Sequence, residues 1–136
     1  MEVKLDEVID ALESTDDETH SYYNRDTEKV EMVIEFVDNE DLAEKIEENY
    51  EHYIKLPDNY EIDAYGMMAD FIDSLPAGDH QDQLATGIGG RGAFRVFRQL
   101  ADSFGLTQQW YDFQTAAYKR LAIEWCADND IVIDET

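Results

Sequence analysis

Apolar side chains recur at every second position in one stretch of this chain, and helical spacing of apolar residues dominates elsewhere. Residues 30–36 place four apolar side chains on one face and Glu31 and Glu35 on the other, which is the two-residue period of a half-buried strand. Residues 20–29 supply a second strand and a polar turn, so the sequence predicts a β-hairpin over about residues 20–36. We therefore expect an α+β fold, in which a small antiparallel hairpin or sheet packs against a mostly helical body.

Apolar residues at spacings of three and four predict helices in most of the remaining chain. The predicted segments are about 6–14, a helix from a cap at Asp38 or Asn39 to about 54, about 61–75, a short helix with Leu84 and Ile88, a helix with Phe94 to Phe104 that Gly105 ends, and one from Thr107 to Trp125. The side chains expected to share one core are Phe94, Phe97, Trp110, Phe113, Leu121 and Trp125. Residues 131–133 are expected to add a short strand to the hairpin.

Length and composition fit one intracellular domain. The chain has 136 residues, of which 43% are hydrophobic, and no linker divides it, so we expect a single domain over residues 1–136. No apolar run is long enough to span a bilayer, and the first residues lack the layout of a signal peptide. The one cysteine, Cys126, cannot form an internal disulfide, which favours a reducing, cytoplasmic location.

The charge of the chain is strongly negative and unevenly distributed. The net charge is −23, which argues against binding to nucleic acid or to an anionic membrane. Residues 1–86 hold 26 acids and 5 bases, whereas residues 83–127 hold 5 bases and 3 acids. This asymmetry leaves two interpretations open: the positive segment docks onto the acidic half of its own fold, or it forms a binding face.

The glycine-rich segment before the arginines suggests a ligand site. Gly87, Gly89 and Gly92 fit the G-x-G-x-x-G spacing, but no strand precedes them, so we take this match to the dinucleotide fingerprint as coincidence. Backbone N–H groups at a helix start, with three guanidiniums on one face, suit phosphate or an acidic partner segment. The residues of this predicted anion site are Gly90, Arg91, Gly92, Arg95 and Arg98. The alternative, which we favour, is that these arginines pair with carboxylates of the first half of the chain.

The sequence predicts no catalytic residues, no metal site and no cofactor. Residues 24–35 resemble an EF-hand loop, but Lys29 stands where the sharp turn needs glycine. The three histidines lie too far apart for a zinc motif, and Cys126 beside Trp125 is expected to be a buried, inert thiol. Adjacent carboxylates are typical of solvated faces. The sequence therefore leans against an enzyme.

Several segments together resemble a known family. Gly90 to Arg95, Trp110-Tyr111 with Phe113, and Ile123 to Cys126 are similar to segments of uncharacterised bacterial protein family zero-one-five-eight. The resemblance implies a widespread cytosolic bacterial protein without an assigned activity. In that family the hairpin turn usually has glycine where Glu28 stands, so we expect a different turn here. Val96 occupies a position that is usually basic.

Three hypotheses about function follow. The first is a non-enzymatic interaction or regulatory module whose acidic half meets a basic protein partner, with six tyrosines as candidate contact or core residues: Tyr22, Tyr23, Tyr50, Tyr53, Tyr60 and Tyr65. The second is a small anion- or phosphate-binding protein or enzyme centred on Gly89 to Arg98. The third is that the acidity is salt adaptation only, in which case molar KCl should greatly stabilise the free protein.

Overall fold

The computed structural model describes residues 1–34 and 40–134. It divides into two compact units: unit 1 comprises Met1–Ile62 and Tyr118–Thr136, and unit 2 comprises Asp63–Ala117. Helices predominate and a three-stranded sheet is antiparallel, which confirms the predicted α+β class. The single domain over residues 1–136 stays a prediction. The expected strand residues 35 and 36 and the expected cap at Asp38 or Asn39 lie outside the described residues.

Unit 1 combines short strands with short helices. Its elements are β1 (Glu2–Lys4), α1 (Leu5–Glu13), β2 (Thr19–Asn24), β3 (Lys29–Ile34), α2 (Glu40–Glu48), a 3₁₀ turn (Tyr50–His52), β4 (Tyr53–Lys55), α3 (Asn59–Ile62) and β5 (Val132–Asp134). The C-terminal part of the long helix α7 (Thr107–Asp128), from Tyr118 onward, also belongs to this unit.

The main sheet of unit 1 has the strand order β3–β2–β4, with both pairings antiparallel. Tyr22 of β2 stands opposite Glu31 of β3 and Lys55 of β4, so the predicted hairpin is present and a third strand extends it. The predicted continuation of the second helix to residue 54 is wrong, because α2 ends at Glu48 and Tyr53–Lys55 pairs with β2 instead. Backbone pairing across the sheet thus overrides a local helical pattern.

The C-terminal strand does not join the hairpin. β5 pairs in parallel with β1, with Glu2 opposite Val132 and Lys4 opposite Asp134, in a separate two-stranded sheet. The prediction that residues 131–133 extend the hairpin is therefore wrong. β1, the partner strand of β5, is three residues long and runs directly into α1, so no alternating sequence pattern marks it.

The β2–β3 turn contains a non-glycine residue in the left-handed conformation. Glu28 has φ +58°, a conformation that costs a non-glycine residue about 1–2 kcal/mol. Its carboxylate accepts a hydrogen bond from the Glu2 N–H at 2.6 Å, and the Asn24 side-chain oxygen accepts from the N–H groups of Asp26 and Thr27. These side-chain hydrogen bonds offset the strain that glycine would avoid. That the turn differs from the turn of other family members stays a prediction.

The core of unit 1 centres on Tyr23, whose side chain is fully buried. Its hydroxyl donates to the Glu2 carbonyl oxygen at 2.7 Å, and its ring meets Trp125 edge to face at a centroid distance of 6.2 Å. The Trp125 indole N–H donates to the Lys55 carbonyl oxygen at 2.9 Å. The same cluster of contacts therefore joins β1, β2, β4 and α7 within this unit.

Unit 2 is helical throughout its defined elements. These are α4 (Ala64–Ser74), α5 (Asp79–Gly87), α6 (Ala93–Ser103) and the first part of α7, up to Ala117. The Phe71 ring contacts the rings of Phe97, Trp110 and Phe113 at centroid distances of 6.1, 5.4 and 5.4 Å. These four aromatic side chains form the centre of the unit 2 core.

The prediction that six apolar side chains share one core is wrong in two respects. The Phe94 side chain is 45% exposed instead of buried. Trp125 packs against Tyr23 in unit 1, whereas Trp110 packs against Phe71 in unit 2. One helix with apolar residues on several sides can serve two clusters along its length, which a single stripe does not reveal.

None of the helices in residues 1–34 and 40–134 has both the length and the apolar character needed to cross a membrane.

Candidate binding surfaces on the two units

Helix α6 begins at the predicted anion site. Gly92 precedes the helix in the left-handed conformation, with φ +67°, and no side chain caps the helix start. The first intrahelical bond is donated by Val96 to the Gly92 carbonyl oxygen, so the preceding N–H groups lack helical partners. A methyl group built on Gly92 would lie 3.7 Å from a terminal nitrogen of Arg95. The Arg95 guanidinium therefore folds back over the start of its own helix.

The structure brings some of the predicted anion-site residues together. Gly92 and Arg95 are neighbours, Arg98 lies about one helical turn further along α6, and Gly90 and Arg91 lie in the turn before the helix. The side chains of Arg91, Arg95 and Arg98 are all exposed, and we call these three residues the arginine row. Within residues 63–117, all of which the structure describes, no carboxylate forms an ion pair with any of them. Pairing with carboxylates of residues 1–62 stays a prediction.

Gly87 has a structural role that explains one glycine of the rejected fingerprint. It is the last residue of α5, and a methyl group built there would lie 2.9 Å from Val96 and 3.1 Å from Leu100, both on α6. The missing side chain thus allows α5 and α6 to approach closely. This contact also gives Val96 a packing role, at the position where the family resemblance implies a basic residue.

A pocket of about 240 Å³ lies beside the arginine row, within unit 2. Its lining residues come from three helices: Ala64 and Met68 of α4, Phe94, Phe97 and Arg98 of α6, and Trp110, Tyr111 and Gln114 of α7. We call this the α6 pocket. Sequence reasoning missed it, because the pocket exists only where α4, α6 and α7 converge.

A second cavity, of about 450 Å³, also lies in unit 2. Residues 75–80 line it on one side and Leu106 and Gln109 on the other. The His80 ring stacks on Phe104, with centroids 4.0 Å apart and planes within 8°. The lining combines apolar residues with the polar side chains of Asp79, His80 and Gln109.

The acidic surface lies mainly on unit 1, which holds 26 acids and 7 bases, a net charge of −19, against −4 for unit 2.

The six candidate tyrosines divide between the two roles expected for them, core residue and exposed contact residue. Tyr23 and Tyr53 are buried and Tyr22 is half-buried, whereas Tyr50, Tyr60 and Tyr65 are exposed. Two of the exposed ones belong to acidic segments of unit 1.

Among the described residues, the shifted pKa values arise mainly from hydrogen bonds and from burial. Backbone hydrogen bonds lower the pKa of Asp16 and of Asp58, and Lys55 contributes at the latter, so these carboxyls stay ionised. Burial is the main cause that raises the pKa of Tyr53, and repulsion from the Glu31 carboxylate is the second cause. Burial also raises the pKa of Cys126, which agrees with the expected inert thiol. Among the described residues, no group of three or more His, Cys, Asp or Glu side chains could hold a metal ion.

Comparison with known proteins gives a family and one curated relative. Uncharacterised protein family (UPF0158) matches residues 1–135. The relative is UPF0158 protein PA5073 of Pseudomonas aeruginosa, which is 24% identical over 132 residues, covering 96% of this chain and 85% of the relative. No solved structure matches the chain. The match confirms the resemblance carried by the glycine–arginine and tryptophan segments, and the chain therefore belongs to Uncharacterised protein family (UPF0158).

Proposed function

We propose that this protein is a cytoplasmic, non-enzymatic interaction module whose acidic unit 1 binds a basic segment of a partner protein. The observation that carries the proposal is the exposure of two tyrosine rings within acidic segments. Tyr50, in Glu47-Glu48-Asn49-Tyr50-Glu51, is 71% exposed, and Tyr60, in Asp58-Asn59-Tyr60-Glu61, is 91% exposed. We call these two segments the acidic tyrosine surface.

The chemistry of this surface suits lysine and arginine side chains. A net charge of −19 on one unit attracts a basic segment over a distance of about one Debye length, ~8 Å at physiological salt. At contact, a tyrosine ring offers its face to the cation, worth about 0.5–1 kcal/mol at an exposed site, while its hydroxyl stays in water. Carboxylates supply attraction, and the rings supply selectivity between basic segments.

Removing the two rings while keeping every carboxylate tests the proposal. In a titration with a fluorescent decapeptide of mixed Lys and Arg at 0.15 M salt, we expect Tyr50→Ala/Tyr60→Ala to weaken binding about tenfold, since two contacts of ~0.5–1 kcal/mol are lost. The control is Ile123→Ala, which removes an exposed apolar side chain of unit 1 outside both segments. Equal affinity of all three proteins would show that charge alone attracts the peptide and would contradict a recognition surface.

A second candidate function is binding of a small anion at the start of α6. The observation that favours it is the Arg95 guanidinium folded over Gly92, beside backbone N–H groups that lack helical partners. A helix start and a guanidinium both stabilise negative charge. Phosphate and sulfate are the simplest ligands of this kind.

Arg95→Gln distinguishes an anion site from a structural arginine. If the site binds phosphate, a concentration tenfold above Kd stabilises the native protein by about 1.4 kcal/mol and raises Tm by about 5 °C. In that case Arg95→Gln abolishes this rise with little change in basal Tm, whereas Arg120→Gln, at an exposed base of α7, retains it. A lower basal Tm for Arg95→Gln without any phosphate effect in the native chain would instead support pairing with a carboxylate.

A further inference from the structure

We infer that the α6 pocket is a docking site for an acidic peptide segment of another protein, with one large aromatic side chain as its anchor. This inference goes beyond the proposed function, because it concerns unit 2 and a partner segment of the opposite charge.

The floor of the pocket is apolar and formed by well-packed side chains. Met68, Phe97 and Trp110 are buried, and the Phe97 and Trp110 rings meet edge to face at a centroid distance of 4.9 Å. Phe71 contacts both rings from within the core. Because these contacts hold the floor in place, an apolar occupant would need little reorganisation of the protein.

The walls of the pocket expose aromatic surface to solvent. Phe94 is 45% exposed on one side and Tyr111 is 53% exposed on the other. An aromatic ring has a partly negative face and a partly positive edge, so it packs well edge to face against another aromatic side chain. An aromatic anchor between these walls would remove both exposed rings from water.

The rim of the pocket is positively charged. Arg98 lines the mouth, and within residues 63–117 its guanidinium has no ion-pair partner, although Asp102 follows it at the i+4 position. Arg95 lies about 4.5 Å earlier along the helix axis, so the positive charge continues beyond the pocket mouth. A carboxylate beside the anchor could form a two-pronged hydrogen-bonded pair with Arg98.

The dimensions favour a peptide over a free small molecule. A volume of about 240 Å³ is below the ~300–1,000 Å³ typical of small-ligand pockets, yet it suits a single aromatic side chain. A free anion would leave the apolar floor uncovered, whereas a segment with acidic residues on both sides of the anchor uses the floor and the arginine row together. The net charge of −23 does not prevent this contact, because physiological salt screens charges beyond ~8 Å.

The test uses the full chain and the heptapeptide Asp-Glu-Asp-Phe-Glu-Asp-Glu at 0.15 M salt. Binding is measured by calorimetry and by the two tryptophan indole N–H resonances in NMR. We expect the Trp110 resonance to move on titration and the Trp125 resonance to stay, because Trp125 lies in unit 1 with its N–H bonded to Lys55. Movement of neither resonance, or of Trp125 alone, would overturn the inference.

Matched changes in peptide and protein separate the anchor from the charge. Replacing the peptide Phe with Ala should weaken binding at least tenfold, and Arg98→Gln should weaken it at least fivefold, with Arg120→Gln within twofold of the native chain. Cooperative thermal unfolding of each variant is checked first, and Tyr111→Phe, which keeps the wall, should bind like the native chain.

Equal binding of the Ala peptide would reduce the site to a simple charge contact and overturn the inference. Concentration-dependent dimerisation that moves the Trp110 resonance without peptide would assign the pocket to a second copy and also overturn it. Because the basic decapeptide tests unit 1, failure here leaves the proposed function standing, and the reverse also holds.

Discussion

Trp125→Ala is expected to destabilise the protein by about 3–5 kcal/mol, which is enough to unfold a domain of ordinary stability. The indole is 7% exposed, packs edge to face on Tyr23, and donates its N–H to the Lys55 carbonyl oxygen. Truncation removes the apolar contact, leaves a cavity and deprives the β4 carbonyl of its partner. Urea unfolding followed by far-UV circular dichroism measures the loss.

The control is Trp125→Phe, which retains most of the ring packing but cannot donate to Lys55. We expect a smaller loss of about 1–2 kcal/mol, from the missing hydrogen bond and the smaller ring. A Trp125→Ala protein that unfolds cooperatively at the native urea midpoint would contradict the placement of this ring in the core of unit 1.

Phe71→Ala is expected to have an effect of the same size in unit 2, about 3–5 kcal/mol. The Phe71 side chain is 3% exposed, and its ring contacts Phe97, Trp110 and Phe113, so its removal opens the centre of the aromatic cluster. The matched control is Phe71→Leu, for which a loss below about 1.5 kcal/mol is expected if the neighbours repack. Thermal unfolding compares the two variants, and an Ala variant as stable as the Leu variant would contradict the central position of this ring.

Single-tryptophan proteins connect these changes to the predicted single domain. Trp125→Phe leaves Trp110 as the fluorescent reporter of unit 2, and Trp110→Phe leaves Trp125 as the reporter of unit 1. One domain requires that Phe71→Ala lower the unfolding midpoint of both reporters together. Separate transitions for the two reporters would show that the units unfold independently.

Long periodic segments were predictable from sequence, and short paired segments were not. The hairpin follows from the alternation in residues 30–34, and helices such as α4 and α6 follow from apolar stripes several turns long. β1, β4 and β5 have three residues each, too few to show a period, and they are strands because of partners elsewhere in the chain. Pairings such as Glu2 with Val132 depend on the whole fold.

The binding surfaces were predictable to a different degree. The spacing of Arg91, Arg95 and Arg98 predicts one face of a helix, and all three side chains are exposed. Only Arg95 and Arg98 lie on α6, because the left-handed Gly92 ends the preceding turn and leaves Arg91 outside the helix. The α6 pocket could not be predicted, because its lining depends on how three helices converge. Phe94 illustrates the difficulty: it belongs to the apolar stripe of α6 by spacing, yet it lies at the edge of that stripe and remains 45% exposed.

The interrupted course of unit 1 along the chain has a consequence for folding during synthesis. Unit 2 is continuous, from Asp63 to Ala117, whereas β1 must wait for β5, which ends at Asp134. At translation rates of about 5–20 residues per second, the chain needs a further ~1–3 s after Ala117 to supply that strand. Residues 1–62 thus leave the ribosome earliest and can pair β2, β3 and β4 at once, but the β1–β5 sheet is completed last. During that interval the unpaired edge of β1 is available to other chains, and the dense negative charge of these residues provides the repulsion that keeps nascent copies apart.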